Sequence, residues 1–234
     1  MSKKVVVVEG IIGAGKTSLS RELGAALGSD TLTLLEPDEK GNANPYLADF
    51  CADPARWALT MQVHLLQRRF RMHLSAQWHA MEGRGHAILD RSYFGDTAFA
   101  RLQRTRGAMS NREFETYSGI YHGMTAHVLL PQVCVRVLCA PAVAAERVRR
   151  RMEHETGRKC EEKIVDVEYL ADLDREIDYM VGVLRDQGVA VLDVPWDADR
   201  DSTLVREQTV RGLAARIDGL VPRDAFLDMH RRTV

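Results

Sequence analysis

No two of the four cysteines (Cys51, Cys134, Cys139 and Cys160) form a C-x-x-C pair, and they are scattered along the chain. That spacing argues against a structural zinc site and against a disulfide framework. Long hydrophobic runs are missing too. Lys3-Lys4 followed by Val5 to Val8 briefly has the look of a signal peptide, but Glu9 and the glycines after it interrupt the apolar run after four residues. Four residues are too few for a signal-peptide core or a spanning helix, so a cytoplasmic location is expected. Nor is there an excess of charge of either sign. With 32 Lys+Arg against 33 Asp+Glu the formal net charge is -1, which leaves no global electrostatic case for nucleic acid or an anionic membrane as partner. Internal repeats and low-complexity linkers are absent. The 234 residues, 45% hydrophobic and 28% charged, fit a single domain over residues 1–234 that buries its core without disulfides or metal.

Short β-branched or apolar runs are present in their place. Val5–Val8 reads as a strand buried on both faces, and Thr31–Leu35, His86–Leu89, Val133–Leu138 and Val189–Val194 read similarly. Helical patterns lie between them. Lys16–Leu27 is ended by Gly28, a second helix starts at Asp53-Pro54 and runs toward Glu82, and a third starts at the capping box Ser110-x-x-Glu113 and runs to about His127. Residues 143–152, 167–185 and 202–220 are also helical in pattern. This alternation predicts an α/β fold, a doubly wound parallel five-stranded sheet with helices on both faces. Residues 147–163 are dense in charge and poor in apolar side chains, as in a mobile surface segment.

Gly10-Ile11-Ile12-Gly13-Ala14-Gly15-Lys16-Thr17 fits the phosphate-cradling pattern G-x-x-x-x-G-K-[ST], placed after a strand and before a helix. Glycines let backbone N–H groups wrap phosphates, and the N-terminus of the following helix favours an anion. Gly10, Gly13, Ala14, Gly15, Lys16, Thr17 and Ser18 are thus the candidate nucleotide-binding set. Lys16 reaches the β- and γ-phosphates in such loops, and the Thr17 hydroxyl serves Mg²⁺. The predicted fold is of the P-loop NTPase kind, and no [NT]-K-x-D guanine-reading segment points to a regulatory GTPase.

In open α/β sheets ligands sit beyond the carboxyl ends of the strands. Two expected strands end there in charge: Leu35 is followed by Glu36-Pro37, and Leu89 by Asp90-Arg91-Ser92. A carboxylate can accept the proton of an attacking hydroxyl, an arginine can stabilise a transferred phosphoryl group, and an acid can hold Mg²⁺. On the helix from Pro54, Gln62 and Arg69 are seven residues apart and share one partly apolar face. A nucleobase edge supplies the donors and acceptors such a pair needs, and other side chains or solvent supply them equally well.

Taken in order, Glu9-Gly-x-x-Gly-Ala-Gly-Lys-Thr17, Glu36-Pro37, Asn44-Pro45-Tyr46-Leu47, Pro54-x-Arg56-Trp57 with Met61-Gln62, Asp90-Arg91-Ser92 with Asp96 and Phe99-Ala100, and Val167-Glu168-Tyr169-Leu170 make the chain resemble the deoxynucleoside kinases over about residues 3–180. The resemblance implies ATP as phosphate donor, Mg²⁺, a small-molecule deoxynucleoside acceptor and a homodimer. It implies that Glu36 is the general base for the 5′-hydroxyl and that Arg91 and Lys16 act at the transferred group. Asp90 joins Thr17 at Mg²⁺. Gln62 bonds the base, Phe99 stacks on it, Arg69 and Asp96 read its remaining edge, and Glu168 holds the deoxyribose 3′-hydroxyl. Arg147, Arg151 and Arg158 correspond to lid arginines over the ATP phosphates, in a segment longer than usual for the family. Relatives commonly carry a tyrosine where this chain has Cys51, and Tyr46 is the nearby residue offered in its place.

A donor from Arg69 beside an acceptor from Asp96 complements adenine's N7/N6 edge and equally cytosine's N3/N4 edge. Guanine's O6/N7 edge uses Arg69 alone, and thymine, without an amino group, fits worst. The Asn44-Pro45-Tyr46 and Asp90-Arg91-Ser92 segments resemble most the bacterial-type purine deoxynucleoside kinases. Two other readings stay open from sequence: a thymidylate-kinase-like nucleoside monophosphate kinase, and a non-catalytic nucleotide-binding subunit on the same fold.

Overall fold

The computed structural model describes residues 3–35, 44–154, 165–197, 203–221, 224–226 and 228. Glu36, Arg158 and Cys160 lie outside the described residues, as do residues 155–163 of the segment expected to be a lid. Five strands form one parallel sheet: β1 (Val5–Glu9), β2 (Leu32–Leu34), β3 (Ala87–Asp90), β4 (Val133–Leu138) and β5 (Ala190–Pro195), in the order β2-β3-β1-β4-β5. Val8 lies beside Asp90 on one side and Val135 on the other, so β1 and β3 end within one residue of each other while β4 runs on to Leu138. The chain reaches β2 at one edge, returns through β3, then crosses β1 to β4. The ends of β1 and β3 therefore flank the point where the winding reverses, where open sheets bind ligands.

The valines of β1 and all of β3 are buried, which for a parallel strand requires cover on both faces. The helices supply it: α1 (Lys16–Leu27), α2 (Leu47–Ala52), α3 (Pro54–Met81), α4 (Tyr93–Thr105), α5 (Asn111–Thr125), α6 (Pro141–His154), α7 (Val167–Asp186) and α8 (Thr203–Gly219). α1 packs against α8, while α3, α4 and α7 pack side by side. The starts and stops follow local chemistry. Asp53 accepts from Arg56 N at 3.1 Å ahead of Pro54, and Ser110 and Glu113 close a reciprocal capping box. All five expected strands and six expected helices are present, with ends shifted by up to two residues.

Two helices are additions to the sequence reading. α2 has only six residues, too few for a period. α4 opens with six residues that are all buried, polar and apolar alike, so its first turns carry no amphipathic stripe. Its start signal is Ser92, whose hydroxyl accepts from the N–H groups of Phe94 and Gly95.

Candidate active site

The loop between β1 and α1 is shaped by close approaches. A Cβ on Gly13 would fall 2.4 Å from the Ala144 carbonyl oxygen, and one on Gly15 2.8 Å from the Trp196 ring nitrogen. Both glycines have positive φ, 81° and 92°. Gly15 stands at the N-cap of α1 without a side-chain cap, so the helix's first N–H groups remain available to an anion. Lys16, 7% exposed, folds back and donates to the Ile11 carbonyl at 2.8 Å. Thr17 is exposed, and its hydroxyl donates to Asp90 Oδ2 at the end of β3. The other oxygen of Asp90 is buried without a hydrogen-bond partner. A hydroxyl beside a buried carboxylate with an orphaned oxygen, at the mouth of a phosphate cradle, fits a hard divalent cation such as Mg²⁺.

Arg91 follows with φ 69°, buried, its Nη1 donating to the Gly10 carbonyl at 3.4 Å and its guanidinium 4.7 Å above the Phe99 ring. Arg69 lies 5.9 Å from the same ring. Arg69 and Asp96 face each other as a buried ion pair, and Tyr117 donates to the second oxygen of Asp96 at 2.8 Å. Burial and the Asp96 charge hold the Tyr117 hydroxyl well above the usual tyrosine range, so it stays a donor.

Gln62 is wholly buried on α3, and neither its amide oxygen nor its nitrogen has a hydrogen-bond partner among the described residues. It faces a cleft lined also by Ile12, Leu47, Phe50, Cys51, Arg69 and Phe99. The expected base-reading residues Gln62, Arg69 and Phe99 thus meet at one cleft beside the phosphate cradle, with Asp96 behind Arg69.

The remaining expected residues are placed less directly. Tyr46 is half-buried against Trp57 and His64 and does not line the cleft, whereas Cys51 does. Glu168 is exposed on the first turn of α7, close in sequence to two lining residues, Val165 and Tyr169. Arg147 braces the cradle: its guanidinium donates to the carbonyls of Ala14 at 3.4 Å, Trp196 at 3.0 Å and Asp197 at 3.1 Å. Arg151 is half-buried on α6, and Ser18 on α1 is half-buried behind Thr17.

Sequence reasoning missed Gln103 and Tyr169, which line the cleft and bond each other at 3.4 Å, and Tyr117 and Glu9 behind it. Burial pushes the Tyr169 hydroxyl up to about 12. Tyr169 had a signal, since it stands within the quoted Val167–Leu170 segment. Tyr117 had none, because the pairing with Asp96 joins two helices.

A P-loop at the switch point of a parallel sheet, with a Thr–Asp pair at its mouth and beside it a largely apolar cleft that carries Gln62 and Arg69, defines a phosphoryl-transfer enzyme of the P-loop kinase class. The family model "Deoxynucleoside kinase" matches residues 6–215. The chain belongs to that family and is an ATP-dependent kinase.

It is similar to the deoxyguanosine kinase of Dictyostelium discoideum, 33% identical over 202 residues that make up 86% of this chain and 67% of that protein. It is similar also to the Dictyostelium deoxyadenosine kinase, 30% identical over 72% of this chain and 62% of that protein. The deoxyadenosine/deoxycytidine kinase of Bacillus subtilis is 31% identical over 67% of each chain. The chain thus spans about two thirds of the length of these relatives. Among solved structures, the deoxyadenosine kinase of M. mycoides with bound dCTP shares the fold, with a TM-score of 0.70, 17% identity and coverage of 92% of this chain and 100% of that one.

Proposed function

We propose that the protein transfers the γ-phosphoryl group of ATP to the 5′-hydroxyl of a purine deoxynucleoside, with the base held in the cleft at Gln62. The observation that carries this reading is the Gln62 amide, buried with both polar atoms unpartnered. Buried amides are ordinarily satisfied, and a base edge presenting an acceptor beside a donor satisfies both atoms at once. Phe99, flanked by two guanidinium groups, offers a ring face for stacking.

In this reading Glu36 takes the proton from the 5′-hydroxyl as its oxygen attacks the γ-phosphorus and ADP leaves. Lys16 and Arg91 stabilise the charge on the transferred group. Gly10 to Ser18 cradle the donor's phosphates, with Arg147, Arg151 and Arg158 on the lid side. Thr17 and Asp90 would hold Mg²⁺, which would supply charge neutralisation at the phosphates. Arg69 and Asp96 select the base. The sugar site is formed at Glu168, with Tyr46 offered in place of the family's tyrosine. Purine selectivity is supported by the relatives, two of which are named for deoxyguanosine and deoxyadenosine.

Steady-state rates with deoxyadenosine, deoxyguanosine, deoxycytidine and thymidine, each with ATP and Mg²⁺, test the assignment. A purine ranks first in kcat/KM if it is right. Thymidine first, or turnover of nucleoside monophosphates alone, overturns it. A cytoplasmic homodimer belongs to the same reading, and sedimentation equilibrium tests the dimer. None of the described helices is long and apolar enough to cross a membrane.

A further inference from the structure

Glu9 ends β1 and has no exposed surface. Four buried valines precede it at the centre of the sheet, so its carboxylate gives up hydration that only fixed donors replace. Its Oε1 accepts from the Ser92 backbone N–H at 2.8 Å and from the Ser92 hydroxyl at 2.5 Å. That hydroxyl in turn accepts from the N–H groups of Phe94 at 3.1 Å and Gly95 at 3.2 Å, capping α4. The carboxylate's other oxygen lies against Gly95, where an added Cβ would come within 2.3 Å of it. The first turn of α4 is therefore seated directly on the Glu9 carboxylate, at the helix end that favours an anion.

The residue just before Ser92 is Arg91, the only non-glycine residue with positive φ among the described residues. Left-handed backbone is unfavourable for a residue with a Cβ and persists only where its surroundings impose it. Two bonds to β1 bracket it here: the Arg91 N–H donates to the Val8 carbonyl at 3.1 Å, and the next N–H, that of Ser92, donates to Glu9. The first is made by backbone alone, whatever the sequence. The second exists only because residue 9 carries an acceptor of this length.

Resting on the reading in which Arg91 stabilises the transferred phosphoryl group, we infer that Glu9 is a positioning residue for Arg91. Its carboxylate pins the Arg91–Ser92 peptide to the strand that leads into the phosphate cradle. The guanidinium and the cradle are thereby referenced to the same strand, and the distance between them does not depend on the loop alone. Nothing in this role touches substrate, so its loss appears in kcat and spares binding.

The test is a kinetic cycle on the full chain with Glu9→Ala, Arg91→Ala and the double variant, using ATP and the faster of the two purine deoxynucleosides. Glu9→Ala lowers kcat about 100-fold, the scale of a misplacement near 1 Å, with both KM values within about threefold. In the Arg91→Ala background the same change costs less than about twofold, because the group it positions is gone. Glu9→Gln, which keeps an acceptor for Ser92, restores most of kcat. An equal loss of kcat in both backgrounds, or an unchanged kcat in Glu9→Ala, overturns the inference while leaving the catalytic role of Arg91 standing. If Arg91→Ala keeps its own kcat, that role falls and the inference with it. Should Glu9→Ala not fold, Gly95→Ala displaces the same carboxylate from the opposite side and takes its place in the cycle, with the same outcomes deciding.

Discussion

The residues of the cleft divide by whether a protein partner already satisfies them. Gln62 has none for either amide atom, whereas Arg69 and Asp96 hold each other and Tyr117 holds Asp96. Removing one member of a buried pair strands the other's charge, which costs about 3–5 kcal/mol, while removing both lifts that penalty. Arg69→Met and Asp96→Ala are therefore each strongly destabilising, and the double variant is less so than their sum. The double variant also loses the discrimination against thymine and gains thymidine phosphorylation. Urea unfolding of the four proteins, with thymidine turnover alongside, checks both parts. Additive stability effects, with thymidine still refused, would mean that the pair does not read the base. Lys16 gives a simpler expectation. Its ammonium bonds a loop carbonyl and fills no core position, so Lys16→Ala abolishes turnover and leaves the unfolding midpoint nearly unchanged. A variant with wild-type kcat would sink the cradle mechanism.

At the scale of elements, two serine caps with the same local chemistry have different reach. Ser110 caps α5 at an exposed site in a reciprocal box with Glu113, so Ser110→Ala costs about 1 kcal/mol and leaves kcat alone. Ser92 caps α4 in full burial and also donates to Glu9. Ser92→Ala therefore costs more than Ser110→Ala and lowers kcat as well, which paired unfolding and rate measurements separate. Equal stability losses with equal kcat would remove the special standing of the α4 cap. The contrast also marks what sequence makes legible. The Ser110–Glu113 box is written within four residues and the cradle within eight, the Asp53-Pro54 start and the β-branched strands are equally local, and each is readable as local pattern. The partners of Ser92 and Asp96 come from residues 83 and 21 positions away, and such pairings exist only once the sheet and helices are assembled. Gln62 and Phe99, each within a recognisable segment, are legible in the sequence, and Tyr169 was overlooked although it stands in one too. Gln103, on a helix whose first turns have no stripe, is not legible there.

At the scale of the whole molecule, histidines that fold in their neutral form contribute to the dependence of stability on acid. His73 on α3 is wholly buried, with Nε2 against the Leu129 carbonyl at 2.9 Å, Nδ1 without a partner, and its ring edge-on to Tyr93 at 4.9 Å. A carbonyl only accepts, so Nε2 carries the proton and Nδ1 is bare. Burial lowers the group from 6.5 to about 4, and burial also lowers His86 and His122. Between about 4 and 6.5 the unfolded chain binds a proton at His73 that the folded chain refuses, so unfolding free energy rises with pH across that window. Glu9 works in the opposite sense above its ordinary 4.5, because burial keeps it protonated longer in the folded state. The total pH profile mixes these signs, and a difference profile isolates one of them. His73→Gln keeps an amide donor for the Leu129 carbonyl and removes the titrating ring. The stability of the wild type minus that of His73→Gln should climb from pH 4.5 to pH 6.5, by at most about 1.4 kcal/mol per unit, and level off above. Urea titrations at half-unit steps measure it. A difference that is flat over that range, or that falls as pH rises, would show that His73 is not buried neutral, and the packing of α3 on α4 around it would have to be drawn differently.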